Sequence, residues 1–172
     1  MRLFTFLPGV PLEKIGYSPA VYSLLGDLLA RFHTATDDFE DEWIRDNTDS
    51  DHVTGVLDFG DSHYSLRLID VATAIVYLLL DSPAEKPPEQ EWPRIAADFL
   101  AGYTKRRPVD ADGRTLQLAA CARLVASLVY GLRTVRVNSR GDDPSYILKT
   151  QARGWEVLKV LSNPEFQLIA EH

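Results

Sequence analysis

The stretch Val53–Asp61, with the sequence VTGVLDFGD, decides how this chain is interpreted, together with the apolar run that follows it from Leu66 to Leu80. The first five residues of the stretch predict a short strand. Asp58-Phe59-Gly60 then predicts a turn, because Gly60 can adopt backbone angles that other residues avoid. A carboxylate fixed at the exit of a strand is a suitable ligand for the metal ion that bridges nucleotide phosphates in phosphoryl transfer. Taken alone, these three residues are more often a β-turn in a surface loop.

The run from Leu66 to Leu80 predicts a helix that is buried on all sides, since it is apolar at nearly every position. Asp70 lies near the beginning of this helix and is followed by Val71 and Ala72. The combination resembles the aminoglycoside phosphotransferase (kinase-like) family, in which a strand ending in Asp-Phe or Asp-Trp leads to a buried helix that opens with Asp-Leu-Ala. Within that family, the string from Gly55 to Ala72 resembles hydroxylysine kinases.

Three further stretches resemble the same family, in the same order along the chain. Arg2–Gly9 resembles the hinge strand between the two lobes of a kinase, Leu25–His33 resembles the helix after the hinge, and Tyr146–Leu161 resembles the closing helix. The resemblance implies a protein-kinase-like fold, of which this chain is the helical C-terminal lobe with a remnant of the hinge strand. Residues 1–172 are therefore expected to form a single partial domain.

The resemblance also assigns roles to individual residues. It implies transfer of the terminal phosphoryl group of GTP, or of ATP, to the hydroxyl of 5-hydroxy-L-lysine, with Mg²⁺ as cofactor. Asp58 would be the magnesium ligand, and the hinge residues Phe6 and Leu7 would contact the nucleotide. Asp61 would face an amino group of the substrate, but a solvated turn residue is the simpler interpretation. Asp70 would brace the catalytic segment through hydrogen bonds, and a helix N-cap is an equally good interpretation.

The sequence departs from the family pattern at the catalytic base. It contains no His-Gly-Asp motif, in which kinases of this type place that base, and the acidic stretch Asp38–Asp51 stands where the family has a longer segment. The glycine-rich loop and the lysine that hold the phosphates are also expected to be missing. We therefore expect a truncated form with impaired or no activity. The alternatives are a non-catalytic helical module that binds a partner, or a kinase of choline, homoserine or an aminoglycoside.

The remaining periodicity predicts four more helices, so the expected class is mostly α (α+β). Ser18-Pro19 is a good helix start, and the apolar residues after it share one face: Val21, Leu24, Leu25, Leu28, Leu29 and Phe32. Further helices are predicted over residues 92–103, 116–135 and 146–161, the first with Pro93 at its start. In the last helix one face is shared by Ile147, Gln151, Trp155, Leu158 and Leu161. Leu3–Leu7 is predicted to be a second strand.

Composition disfavours several classes of protein. The formal net charge of -7 and the pI near 5.0 argue against a nucleic acid or an anionic membrane as partner, because phosphate contacts require a basic face. The single cysteine, Cys121, excludes an internal disulfide and a multi-cysteine zinc site, and its apolar surroundings predict a small buried residue. The N-terminal residues lack the apolar region of a signal peptide, and Val71–Leu80 is half the length of a membrane span. We expect a cytoplasmic protein.

A calcium loop is a weaker candidate for the acidic stretch. Asp46, Asp49 and Asp51 are suitably close together, but Val53 and Thr54 stand where such a loop needs an oxygen ligand and a glycine.

Histidines and basic residues also have simple structural interpretations. His33 and His63 have no second His or Cys at ligand spacing, so they are predicted to be a helix-end and a loop histidine. Lys105–Arg107 is predicted to be a solvated helix end. Three arginines near the end of the helix over residues 116–135 could contact phosphate, but a polar helix face is the simpler interpretation: Arg133, Arg136 and Arg140.

Overall fold

The computed structural model describes residue 14 and residues 16–37, 66–82, 87–137 and 145–169. These residues form five helices: α1 (Pro19–Ala35), α2 (Arg67–Leu80), α3 (Pro88–Tyr103), α4 (Gly113–Val137) and α5 (Ser145–Leu161). The expected mostly helical class is confirmed for this part of the chain. The predicted strands Leu3–Leu7 and Val53–Leu57 lie outside the described residues.

Helix α2 is the centre of the structure, because it packs against α3, α4 and α5. Its inward residues are almost fully buried: Val71, Ala72, Ile75, Val76, Leu78 and Leu79. Tyr77, however, is 48% exposed. The prediction that this helix is buried on all sides is therefore wrong at that position.

Helix α1 begins where the sequence predicts. The Ser18 hydroxyl accepts a hydrogen bond from the Val21 backbone N–H at 3.3 Å, and Pro19 occupies the first helical position. The buried face differs from the predicted one, because the predicted apolar residues from Val21 to Phe32 are only partly buried. The residues that are buried lie on a neighbouring face: Tyr22, Gly26, Ala30 and His33.

A close approach of α1 and α3 explains which face of α1 is buried. A Cβ atom added to Gly26 would lie 1.9 Å from the Phe99 carbonyl oxygen, and one added to Gly102 would lie 1.8 Å from the Ser23 carbonyl oxygen. Each glycine thus lets the backbone of the other helix come into direct contact. The small residues, rather than the large apolar ones, set the orientation of α1.

Helix α3 starts earlier than predicted. It begins at Pro88, with Pro87 as its N-cap, so Pro93 lies inside the helix rather than at its start. Pro88 at the first helical position costs little, because the N–H that it lacks would have no partner within the helix. The prediction that Pro93 starts this helix is therefore wrong, because the pair Pro87-Pro88 stands at the start instead.

Trp92 joins α3 to the end of the described chain. Its indole N–H donates to the Ser82 hydroxyl at 3.1 Å, and its ring meets Phe166 edge-on at a centroid distance of 6.3 Å. Gln117 holds the same segment, since its side chain donates to the Leu161 carbonyl oxygen at 2.8 Å and accepts from the Leu168 N–H at 3.0 Å. Phe166 and Leu168, which follow α5, are therefore part of the core.

Helix α4 is longer than predicted at its start. The Asp112 carboxylate accepts a hydrogen bond from the Thr115 N–H at 2.6 Å, which allows the helix to begin at Gly113. By length and composition alone α4 could cross a membrane, with 33% of its most apolar window buried in the molecule, but core helices of soluble proteins meet the same criteria. Cys121 on this helix is only partly buried.

Helix α5 follows the predicted bounds, but Trp155 is 49% exposed. The buried side chains lie beside it, at Gln151, Val157 and Leu161. Gly154 lies against Leu128 of α4, so α5 contacts α4 beside Trp155 and leaves this side chain half exposed.

Candidate functional site

Of the five predicted site residues, the described part of the chain contains one, Asp70. Phe6, Leu7, Asp58 and Asp61 lie outside the described residues. Asp70 lies in the first turn of α2, and its side chain is 55% exposed. The N-cap position belongs to Leu66, which makes no capping hydrogen bond through its side chain, so the N-cap interpretation of Asp70 is wrong. Its charge is nevertheless well placed, because the N-terminus of a helix stabilises a carboxylate.

His33 connects Asp70 to the interior of the molecule. Its Nε2 lies 3.4 Å from the Asp70 Oδ2, and its Nδ1 lies 2.8 Å from the Tyr103 hydroxyl. A proton on Nε2 would face the carboxylate and leave Nδ1 free to accept from the tyrosine hydroxyl, which is the tautomer that this arrangement favours. The chain from Asp70 through His33 to Tyr103 therefore ties together α2, α1 and α3.

The contact between His33 and Asp70 is electrostatic rather than a well-formed hydrogen bond. The two atoms are 3.4 Å apart, and Nε2 has no partner of good hydrogen-bond geometry among the described residues. Burial lowers the pKa of His33 below its ordinary value, and Arg67 and Arg107 add to this effect while Asp70 opposes it. The imidazole is accordingly neutral in the folded protein at pH 7.

A second group of charges surrounds the first. Asp37, just after α1, forms ion pairs with Arg67 at the start of α2 and with Arg107 just after α3. The hydrogen bond from Arg107 lowers the pKa of Asp37 below its usual range, with further help from Arg67. The Arg107 guanidinium also donates to the Thr34 hydroxyl at 3.3 Å. Asp37 thus joins the same three helices at the rim of the site.

The polar junction, as we call this set of contacts, lies where α1 ends, α2 begins and α3 ends, and its side chains are Asp37, Arg67, Arg107, His33, Asp70 and Tyr103. Residues 38–65, which include Asp58 and Asp61, connect the end of α1 with the start of α2. Within the described residues no group of three or more His, Cys, Asp or Glu side chains could hold a metal ion. The junction is therefore not itself a metal centre.

Sequence analysis missed most of this junction. The basic run after α3 was predicted to be a solvated helix end, yet each residue contacts the α1 side of the molecule: Lys105 donates to Ser23, Arg106 pairs with Asp27, and Arg107 pairs with Asp37. The available signal was the spacing of Tyr22, Gly26, Ala30 and His33, which marks His33 as an inward residue at the end of a helix face.

Comparisons with known proteins identify two similar mammalian enzymes. The chain is 30% identical to hydroxylysine kinase from Mus musculus over 110 residues, which is 63% of this chain and 27% of that enzyme. It is 30% identical to hydroxylysine kinase from Bos taurus over 108 residues, or 62% of this chain and 26% of that enzyme. No family model and no solved structure matches. The chain thus spans about a quarter of the length of the curated relatives it matches, and the similarity indicates a kinase-like relationship.

Proposed function

We propose that this chain binds a nucleoside triphosphate with Mg²⁺ as part of a small-molecule kinase of the hydroxylysine kinase type. The observation that supports the proposal is the 30% identity to two hydroxylysine kinases over more than 100 residues. Asp58 holds the metal in this proposal, because a carboxylate oxygen is the ligand type that Mg²⁺ prefers. Phe6 and Leu7 contact the nucleotide, and Asp61 faces an amino group of the acceptor.

The polar junction has a supporting part in this proposal. Asp70 braces the segment next to the metal site, and His33 and Tyr103 hold Asp70 from behind. Asp37 and Arg67, which flank residues 38–66, keep the two ends of that stretch together. None of these side chains would touch the reacting atoms, so their role is to position Asp58.

The proposed reaction is transfer of the terminal phosphoryl group of GTP to the hydroxyl of 5-hydroxy-L-lysine, which leaves GDP and a phosphate ester. When bound, Mg²⁺ would neutralise charge on the phosphate oxygens. The acceptor hydroxyl must lose a proton, and the sequence contains no His-Gly-Asp motif to provide the usual base. Nucleotide binding is therefore the activity to test first, with transfer expected to be weak or absent.

Calorimetry of magnesium-dependent GTP binding tests the proposal. We expect the purified chain to bind GTP in the presence of Mg²⁺ and Asp58→Ala to lose at least about tenfold in affinity, as expected when an oxygen ligand of the metal is removed. Glu156→Ala is a suitable control, because this exposed residue lies on α5 and pairs with Arg153. Equal binding by the Asp58→Ala variant would contradict the assignment of Asp58. A folded chain that binds no GTP would rule out the enzyme proposal for this product, and 5-hydroxy-L-lysine is added only after binding is established.

A non-catalytic helical module is the second candidate. The observation in its favour is the apolar surface that α4 leaves exposed, where Leu118 is 55% and Val129 is 57% accessible. An exposed apolar surface of this kind commonly marks an interaction site. Absence of GTP binding together with a stable fold would favour this candidate.

A further inference from the structure

Helix α4 has apolar residues on two sides, and among the described residues only one of these sides is buried by packing. The inner side packs against α2 and α5 through buried residues: Leu116, Ala120, Leu124 and Leu128. A second set of apolar residues, here called the outer stripe, is exposed: Leu118, Ala122, Val125, Val129 and Leu132. The accessible fractions of Leu118, Val125, Val129 and Leu132 lie between 43% and 57%.

The spacing of the outer stripe is that of a helix-packing seam. Its members are separated by four, three, four and three residues, which is the a/d pattern of a heptad repeat. On an α-helix this pattern places the side chains in one line, and from Leu118 to Leu132 the line is about 21 Å long at 1.5 Å per residue. A seam of this length accommodates two heptads of a partner helix.

The charges on α4 indicate which helix would fit. Gly113–Val137 contains four arginines and no Asp or Glu, whereas the whole chain has a formal net charge of -7. Arg114 lies four residues before the first member of the outer stripe, and Arg136 lies four residues after the last, so both are in line with the stripe. Arg133 is exposed beside it. A partner helix would therefore meet positive charge at both ends of the apolar seam and beside its C-terminal end.

We propose that the outer stripe is a docking surface for an amphipathic helix whose apolar residues follow heptad spacing and whose flanking positions carry Asp or Glu. Opposite charges beside such a seam favour pairing and set its orientation. Such a helix is the kind of partner that the non-catalytic helical module would bind. Docking of this helix does not require nucleotide binding or phosphoryl transfer.

Two other occupants fit the surface less well. If two copies paired antiparallel about Val125, Arg114 of one copy would face Arg136 of the other, and like charges in contact oppose association. An anionic membrane would attract α4, but it would repel a protein whose net charge is -7. Both occupants are outcomes that the experiment can detect.

The probe is a pair of synthetic peptides of about three heptads, each with Leu at every a and d position. One peptide carries Glu at the e and g positions and the other carries Lys, and both are labelled for fluorescence anisotropy in the absence of nucleotide. We expect the Glu peptide to bind at least tenfold more tightly than the Lys peptide at low salt. The double variant Val125→Glu and Val129→Glu should lose this binding. Tyr130→Glu is the matched control, because Tyr130 is 69% exposed on the same helix but lies away from the stripe, and it should bind normally.

A charge exchange makes the test specific. The double variant Arg133→Glu and Arg136→Glu should reverse the preference and bind the Lys peptide more tightly. Equal binding of the two peptides, or no binding by a chain with normal helical circular dichroism, would overturn the proposal. Dimerisation detected by sedimentation, or binding to phosphatidylserine vesicles, would also overturn it if Val125→Glu and Val129→Glu abolish that association, since the occupant would then be a second copy or a lipid surface.

Discussion

The α1–α3 interface and helix α4 use apolar residues in opposite ways. Between α1 and α3, two glycines allow the backbones to touch, while several large apolar residues of α1 stay half-buried. In α4, leucines and valines occur on both the packed and the exposed side. The difference shows that in this protein close approach of helices depends on small residues, and that apolar character alone does not identify a buried face.

The largest expected effect is a loss of stability when the close contact between α1 and α3 is filled. Gly26→Ala or Gly102→Ala would place a Cβ atom within 2 Å of a backbone carbonyl oxygen, which cannot move without separating the helices. We expect a loss of at least about 3 kcal/mol in the free energy of unfolding, although alanine is intrinsically the better helix former by about 1 kcal/mol. Urea denaturation followed by circular dichroism measures this loss.

Gly154→Ala is the control for the glycine variants. The closest atom to its added Cβ would be the end of the Leu128 side chain, at 2.7 Å, and that side chain can shift. We expect a change of about 1 kcal/mol or less, because the gain in helix propensity offsets the crowding. Equal effects at Gly154 and Gly26 would mean that the close α1–α3 contact is not what fixes this interface.

The next largest expected effect is a difference in stability between substitutions on the packed side and on the exposed side of α4. Leu128 is 2% exposed and Leu132, one turn later, is 48% exposed. We expect Leu128→Ala to lower the free energy of unfolding by about 3 kcal/mol through the cavity it leaves, and Leu132→Ala to change it by less than about 1 kcal/mol. Equal losses in urea denaturation would show that the outer stripe is covered in the folded chain, and would remove the basis for a docking surface there.

The smallest expected effect is a pH dependence of stability that arises from His33, the buried histidine of α1. The pKa of His33 is lower in the folded protein than its ordinary value, so the unfolded chain binds more protons. The contribution of His33 to the free energy of unfolding is therefore fully present above the pKa in the unfolded chain, which is about 6.5. It is lost as the pH falls through the pKa in the folded protein, by at most about 1.4 kcal/mol per pH unit.

The variant His33→Gln tests this pH dependence. Its free energy of unfolding between about pH 7 and 5.5 should fall less steeply than that of the unmodified chain, because the titrating imidazole is gone. Asp70→Asn should lower the pKa of His33 further in an NMR titration, since the Asp70 charge raises it. An unchanged slope in His33→Gln would assign the acid sensitivity to other groups.

Local signals in the sequence predict much of the fold, and long-range contacts account for what they miss. The start of α1 follows from Ser18 and Pro19, because capping is decided within a few residues. The buried face of α1 depends on which helix approaches it, and that is decided by Gly102, far along the chain. Periodicity could not supply this information.

The candidate site shows the same limit. Asp70 could be selected from its sequence neighbourhood, but its partner His33 lies in another helix and Tyr103 lies in a third. The ion pairs of Asp37 with Arg67 and Arg107 likewise join residues that are remote in sequence. Such pairs form because packing of apolar faces brings helix ends together, and a single sequence does not record that packing.

The ion pair between Asp37 and Arg67 has a consequence for how such chains can diverge. It places the residues that bound the stretch 38–66 side by side, so insertions or deletions within that stretch need not displace α1 or α2. For a flexible connection, doubling the length between two fixed ends costs only about 0.6 kcal/mol in closure entropy. Lineages could therefore lengthen or shorten the segment between α1 and α2 on an unchanged helical frame.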